Sequence, residues 1–150
     1  MIRCRLVFLH FSGLMLFICN CIAEPQRDFY TLSSGSSWLL LDENTGRIRS
    51  MGLGERTLLV FDLESLGPFR LHIPLPDFEA HLVEGHQTQP VITSTPNGWR
   101  ILYPSVMGKR GSIPVQVEIV IDAAGNGTFE MQCQVRNHSE FKIPQIFFPW

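Results

Sequence analysis

The sequence predicts an all-β domain, an antiparallel β-sandwich preceded by a signal-peptide helix. Three observations carry that expectation. Val115, Val117, Ile119 and Ile121 recur at every second position, and Phe129, Met131, Cys133 and Val135 repeat the pattern. This is the spacing of strands with one face on a core and one face wet. Turn signals follow one another at short intervals, and no segment sustains a capped 3.6-residue period, which argues against a βαβ sheet.

Taken in order, the first 23 residues differ from the rest. Arg3 and Arg5 form a positive start, Leu6 to Cys19 is mostly apolar, and Cys21-Ile22-Ala23 puts small residues at −3 and −1 of a cut before Glu24. That order of charge, apolar run and small-residue site is a secretory signal. The apolar run falls short of the roughly 20 residues that span a bilayer, so no stable membrane span is expected after cleavage. Residues 24–37, with Ser33-Ser34-Gly35-Ser36-Ser37, read as a flexible lead-in. The domain proper is expected over 38–150.

Trp38 to Leu41 and Arg47 to Met51 flank Asp42-Glu43-Asn44-Thr45-Gly46, where Asn44 and Gly46 can supply the positive φ of a hairpin connection. Leu58–Phe61 and Phe69–Ile73 are the next candidate strands, the second closed by Pro74 and Pro76. Val91–Thr95 and Trp99–Tyr103 are joined by the turn Pro96-Asn97-Gly98, and the two alternating runs by Asp122–Gly127. Ile143 to Trp150 is a further strand-like run, dense in aromatics. Apolar material of this kind at the last residue is expected of the N-terminal part of a longer protein, since natural termini usually fade into polar residues.

Charge and cysteines narrow the function. Loss of residues 1–23 removes two of twelve basic residues and no acid, leaving ten against fourteen and a net charge of −4. No basic footprint for nucleic acid remains. Three of the four cysteines leave with the signal, so Cys133 stands alone and an intramolecular disulfide is impossible.

Candidate chemistry is sparse. Asp77, Glu79 and His81 would point the same way on an extended segment, and three such groups could hold a metal or set a carboxylate beside a histidine. The alternative is a charged edge that resists mispairing. Gly-x-Ser-x-Gly is absent, and Thr57 replaces the third glycine after Gly52 and Gly54, so no cofactor motif is present. Asn126-Gly127-Thr128 and Asn137-His138-Ser139 are glycosylation acceptors if the source is eukaryotic. Trp99 and Tyr103 are candidates for stacking on a sugar, although such rings are more often core; Trp99, just after a turn, is expected to be the more exposed.

Several of these stretches together give a resemblance. Trp38–Asp42 followed by Thr45-Gly46-Arg47-Ile48, then Phe69–Pro74, then Gly127–Glu130 and Val135–Ser139 running into Ile146–Pro149, resemble the N-terminal β-supersandwich, or galactose-mutarotase-like domain, of large secreted glycoside hydrolases. The resemblance implies a partial supersandwich, ancillary to a catalytic barrel beyond residue 150 that carries the catalytic carboxylates, so no catalytic residue is placed in this chain. The expected function is an accessory domain of a secreted carbohydrate-active enzyme, whose partners are a carbohydrate or a C-terminal catalytic domain of the same parent chain. The alternatives are a stand-alone secreted carbohydrate-binding or adhesion module, and a small hydrolase or metal enzyme built on Asp77, Glu79 and His81.

Overall fold

The computed structural model describes residues 3–11, 14–22, 29–60, 68–74, 80–109 and 111–148, with backbone alone for residues 3–22, 80, 81 and 86. Residues 3–22, where a signal-peptide helix is expected, have the backbone of a separate antiparallel hairpin, β1 (Arg3–Phe11) with β2 (Leu14–Ile22), a two-stranded sheet of its own. An apolar run satisfies its backbone groups by either arrangement, so this pairing carries no statement about export.

The described residues that follow are all-β and antiparallel throughout. A meander forms from β3 (Phe29–Ser34), β4 (Ser37–Asp42), β5 (Ile48–Leu53) and β6 (Arg56–Val60), in that order across the sheet. A second sheet has the order β15-β7-β8, from β7 (Arg70–Pro74), β8 (Ala80–Glu84) and β15 (Gln145–Phe147). A third has the order β14-β13-β10-β9, from β9 (Val91–Ser94), β10 (Gly98–Tyr103), β13 (Val115–Gly125) and β14 (Thr128–Asn137). A short hairpin, β11 (Val106–Gly108) with β12 (Gly111–Ile113), lies between β10 and β13 in the chain.

The alternating runs behave as their period requires. Val115, Val117, Ile119 and Ile121 of β13 are buried, and their partners across the ladder are Asn137, Val135, Cys133 and Met131 of β14. Each fully buried aliphatic side chain of this kind contributes about 1.5–3 kcal/mol. Leu39 and Leu41 of β4, Phe69 before β7, Leu71 and Ile73 of β7, Val83 of β8 and Trp99, Ile101 and Tyr103 of β10 join them in one core. The three larger sheets therefore bury their apolar faces against one another.

Two stretches differ from the sequence reading. Residues 29–34, placed in the flexible lead-in, form β3 and pair with β4 from Phe29↔Asp42 to Ser34↔Ser37. The serine-rich stretch is the hairpin turn itself: Gly35 takes φ +57 there, a conformation glycine adopts without steric cost, and Tyr30 and Leu32 pack against the core. In the next connection Gly46 has φ +67 whereas Asn44 is not among the positive-φ residues. Asn44 instead joins Thr45 in donating its backbone N–H to Asp42 Oδ1, at 3.0 and 3.1 Å.

Gly98 shows where packing dictates a residue. A Cβ there would lie 1.8 Å from the carbonyl oxygen of Ile121, because β10 enters its pairing with β13 at Gly98↔Asp122. That backbone oxygen cannot be displaced without breaking the ladder. Gly98→Ala is expected to destabilise the domain by about 3 kcal/mol, read from the midpoint of urea unfolding; a loss below about 0.5 kcal/mol would show that the two strands separate freely at this point.

Candidate functional site

β10 of the third sheet places its two aromatics at different depths. Trp99, Ile101 and Tyr103 alternate along the buried face of β10. Tyr103 lies at its inner end, 0 % exposed. Its hydroxyl donates to the carbonyl oxygen of Thr45 at 2.6 Å, and its ring meets Phe69 edge-on with centroids 5.0 Å apart. Burial pushes the phenol pKa well up, so the group stays a neutral donor at any ordinary pH. Tyr103 presents no surface to a sugar, and a carbohydrate reading therefore rests on Trp99.

Trp99, at the outer end of β10, is 7 % exposed, less than expected for a residue after a turn. Its ring packs against Tyr30 of β3, with centroids 5.8 Å apart and planes inclined by 48°. Beside this pair opens a cleft of about 500 Å³ lined by Tyr30, Ile92, Thr93, Ser94 and Trp99. The register explains how it forms: Trp99 faces Ser94 and Ile101 faces Ile92 across the β9–β10 ladder. The short edge strand β9 thus supplies small and polar groups next to the aromatic wall. None of these lining side chains is charged. A smaller hollow of about 300 Å³, lined by Leu82, Gln87, Met107, Gly108 and Lys109, has no aromatic wall.

Asp77 and Glu79 lie outside the described residues, as does the side chain of His81, whose backbone is in β8 opposite Ile73. Among the described residues no group of three His, Cys, Asp or Glu is placed to hold a metal. Asn126 sits exposed in the β13–β14 turn with φ 52. Asn137 ends β14, where its side-chain amide donates to the carbonyl oxygen of Phe141 at 2.6 Å and its Oδ1 accepts from the Ser139 backbone N–H at 2.9 Å.

A second buried polar group went unnoticed in the sequence. Arg47, next to the Asp42–Gly46 turn, is 7 % exposed, and its Nε and Nη2 have no hydrogen-bond partner among the described residues. Desolvation lowers its pKa, Arg49 adds to that, and Asp42 and Glu84 oppose it. Glu84 in turn accepts from Arg70 Nε at 3.0 Å across the β7–β8 ladder. An arginine beside Ile48 gives no sequence signal of burial.

Comparisons with protein-family models, with curated proteins and with solved structures find no match for the chain. The site is thus defined by its geometry: an uncharged cleft with an aromatic wall and a hydroxyl-bearing edge strand.

Cys133 faces the core side of β14, partly buried, and burial pushes its thiol from 9.0 up to about 11. The unfolded thiol ionises first, so its contribution to folding is complete below about pH 9 and is lost as the pH rises toward 11. Alkylation of the folded chain by iodoacetamide is expected to be slow at pH 8 and to keep rising as the pH approaches 11. A rate that levels off soon above pH 9 would show an ordinary, solvated thiol.

Proposed function

We propose that this chain is a secreted carbohydrate-binding domain, accessory to a carbohydrate-active enzyme, whose three sheets are a partial β-supersandwich of the galactose-mutarotase-like kind. The observation that carries the binding reading is the Tyr30–Trp99 wall beside Thr93 and Ser94. Sugars offer apolar C–H faces and many hydroxyls. The Tyr30 ring, backed by the buried Trp99, covers the first, and the exposed Ser94 hydroxyl on the edge strand reaches the second.

The accessory role is supported by chemistry that is absent from the cleft. None of Tyr30, Ile92, Thr93, Ser94 and Trp99 is a carboxylate or histidine, whereas hydrolysis of a glycosidic bond takes a pair of carboxyl groups. A catalytic barrel elsewhere in a parent chain would supply them. The order of charge, apolar run and small residues in positions 1–23 supports the secreted part of this reading.

A glycan array probed with the secreted chain tests the reading. Binding to one or more saccharides is expected, and Tyr30→Ala should weaken it about tenfold. Ser94→Trp, which fills the cleft from an exposed position, should abolish it. An array without bound glycans, or binding undiminished in Ser94→Trp, overturns this function.

A further inference from the structure

The third sheet ends in β14, whose outer edge pairs with no strand among the described residues. β14 runs from Thr128 to Asn137 and hydrogen-bonds to β13 on one side. Between those ends it contains no proline or lysine, and its two charges, Glu130 and Arg136, are of opposite sign, so the usual blunting of an edge by proline or by like charge is missing. The register shift in this pair falls at Ala123/Gly125, away from the middle of the strand. Phe129, Met131, Cys133 and Val135 continue the core face of β13 outward, but they are only partly buried. The apolar row of the sheet therefore reaches its edge half-buried.

The opposite face carries the charges. Glu130, Gln132, Gln134 and Arg136 are exposed there, and Arg136 Nη2 donates to Gln134 Oε1 at 3.2 Å. Glu130 stands directly opposite Asp122 of β13, a like-charge cross-strand pair that is unfavourable on its own. Asp122 already accepts from the Thr95 hydroxyl at 3.3 Å. Across the β13 ladder Glu130 therefore meets a like charge.

We infer that β14 pairs antiparallel with β14 of a second copy of this chain, about a two-fold axis at Cys133. The register follows from two requirements. Facing residues must share a side of the sheet, so the odd-numbered apolar row must meet its own kind. Among such registers, the one centred on Cys133 sets Glu130 opposite Arg136, and the two-fold makes that pair occur twice. It also sets Met131 opposite Val135 and Gln132 opposite Gln134, so each face meets matching chemistry. Asn126 and Asn137, the glycosylation acceptors, fall outside the segment from Glu130 to Arg136. The result is one continuous eight-stranded sheet, the mode of association in which main-chain hydrogen bonds supply affinity and side-chain pairs supply register.

Charge exchange tests it. The secreted chain is expected to sediment as a dimer at micromolar concentration. Glu130→Arg and Arg136→Glu should each weaken the dimer by about tenfold or more, and the double variant Glu130→Arg/Arg136→Glu should restore it. A monomeric wild-type chain overturns the proposal. So does a dimer that is indifferent to the single variants or that the double variant fails to restore, since either result would place the contact elsewhere on the surface.

Discussion

The sheets meet at one phenol. Tyr103 belongs to β10, its hydroxyl is bound to the Thr45 carbonyl in the β4–β5 connection, and its ring rests against Phe69 at the entry to β7. Each contact involves a different sheet. The hydrogen bond contributes only about 1 kcal/mol, yet leaving the buried hydroxyl unpaired would cost more, about 1–3 kcal/mol. The Asp42–Gly46 turn is therefore held where its carbonyl can accept. That turn is itself closed by Gly46 N–H on the Asp42 carbonyl at 2.8 Å and by the two bonds to Asp42 Oδ1. With β4 fixed in this way, its neighbour β3 brings Tyr30 to the outer end of β10, beside Trp99. The cleft is a distant consequence of the buried phenol.

How much of this was legible depended on the range of the interaction concerned. The alternation in 115–121 and 129–135 was readable because a strand's period is local, and β13 and β14 stand where the pattern put them. The Trp38–Leu41 and Arg47–Met51 hairpin was readable for the same reason. β3 was not, because its turn is written in serines that also compose linkers, and only pairing with β4 separates the two cases. β11 and β12, with three residues each, are too short to show a period at all.

The site was harder to read. Trp99 could be singled out, but its partner Tyr30 lies in a segment that looked like lead-in, and no local rule joins the two. Tyr103 shared Trp99's strand and chemistry. Their different depths follow from where β10 passes under the β4–β5 turn, which is information about tertiary contact. Arg47 shows the reverse limit, since a charged side chain buried among Asp42, Glu84 and Tyr103 contradicts the usual expectation for its type.

Gly46 is tied to that phenol by space as well as by sequence proximity. A Cβ at position 46 would lie 2.6 Å from the Tyr103 hydroxyl oxygen and 2.7 Å from Ile101 Cγ2. A chain carrying any side chain at 46 would have to surrender the tyrosine at 103 or the volume at 101, and a smaller residue at 103 would relax the demand for glycine. Positions 46, 101 and 103 are thus coupled in inheritance. In descendants of a common ancestor they should change together, and that joint variation would mark kinship between chains whose surfaces and clefts have diverged beyond recognition.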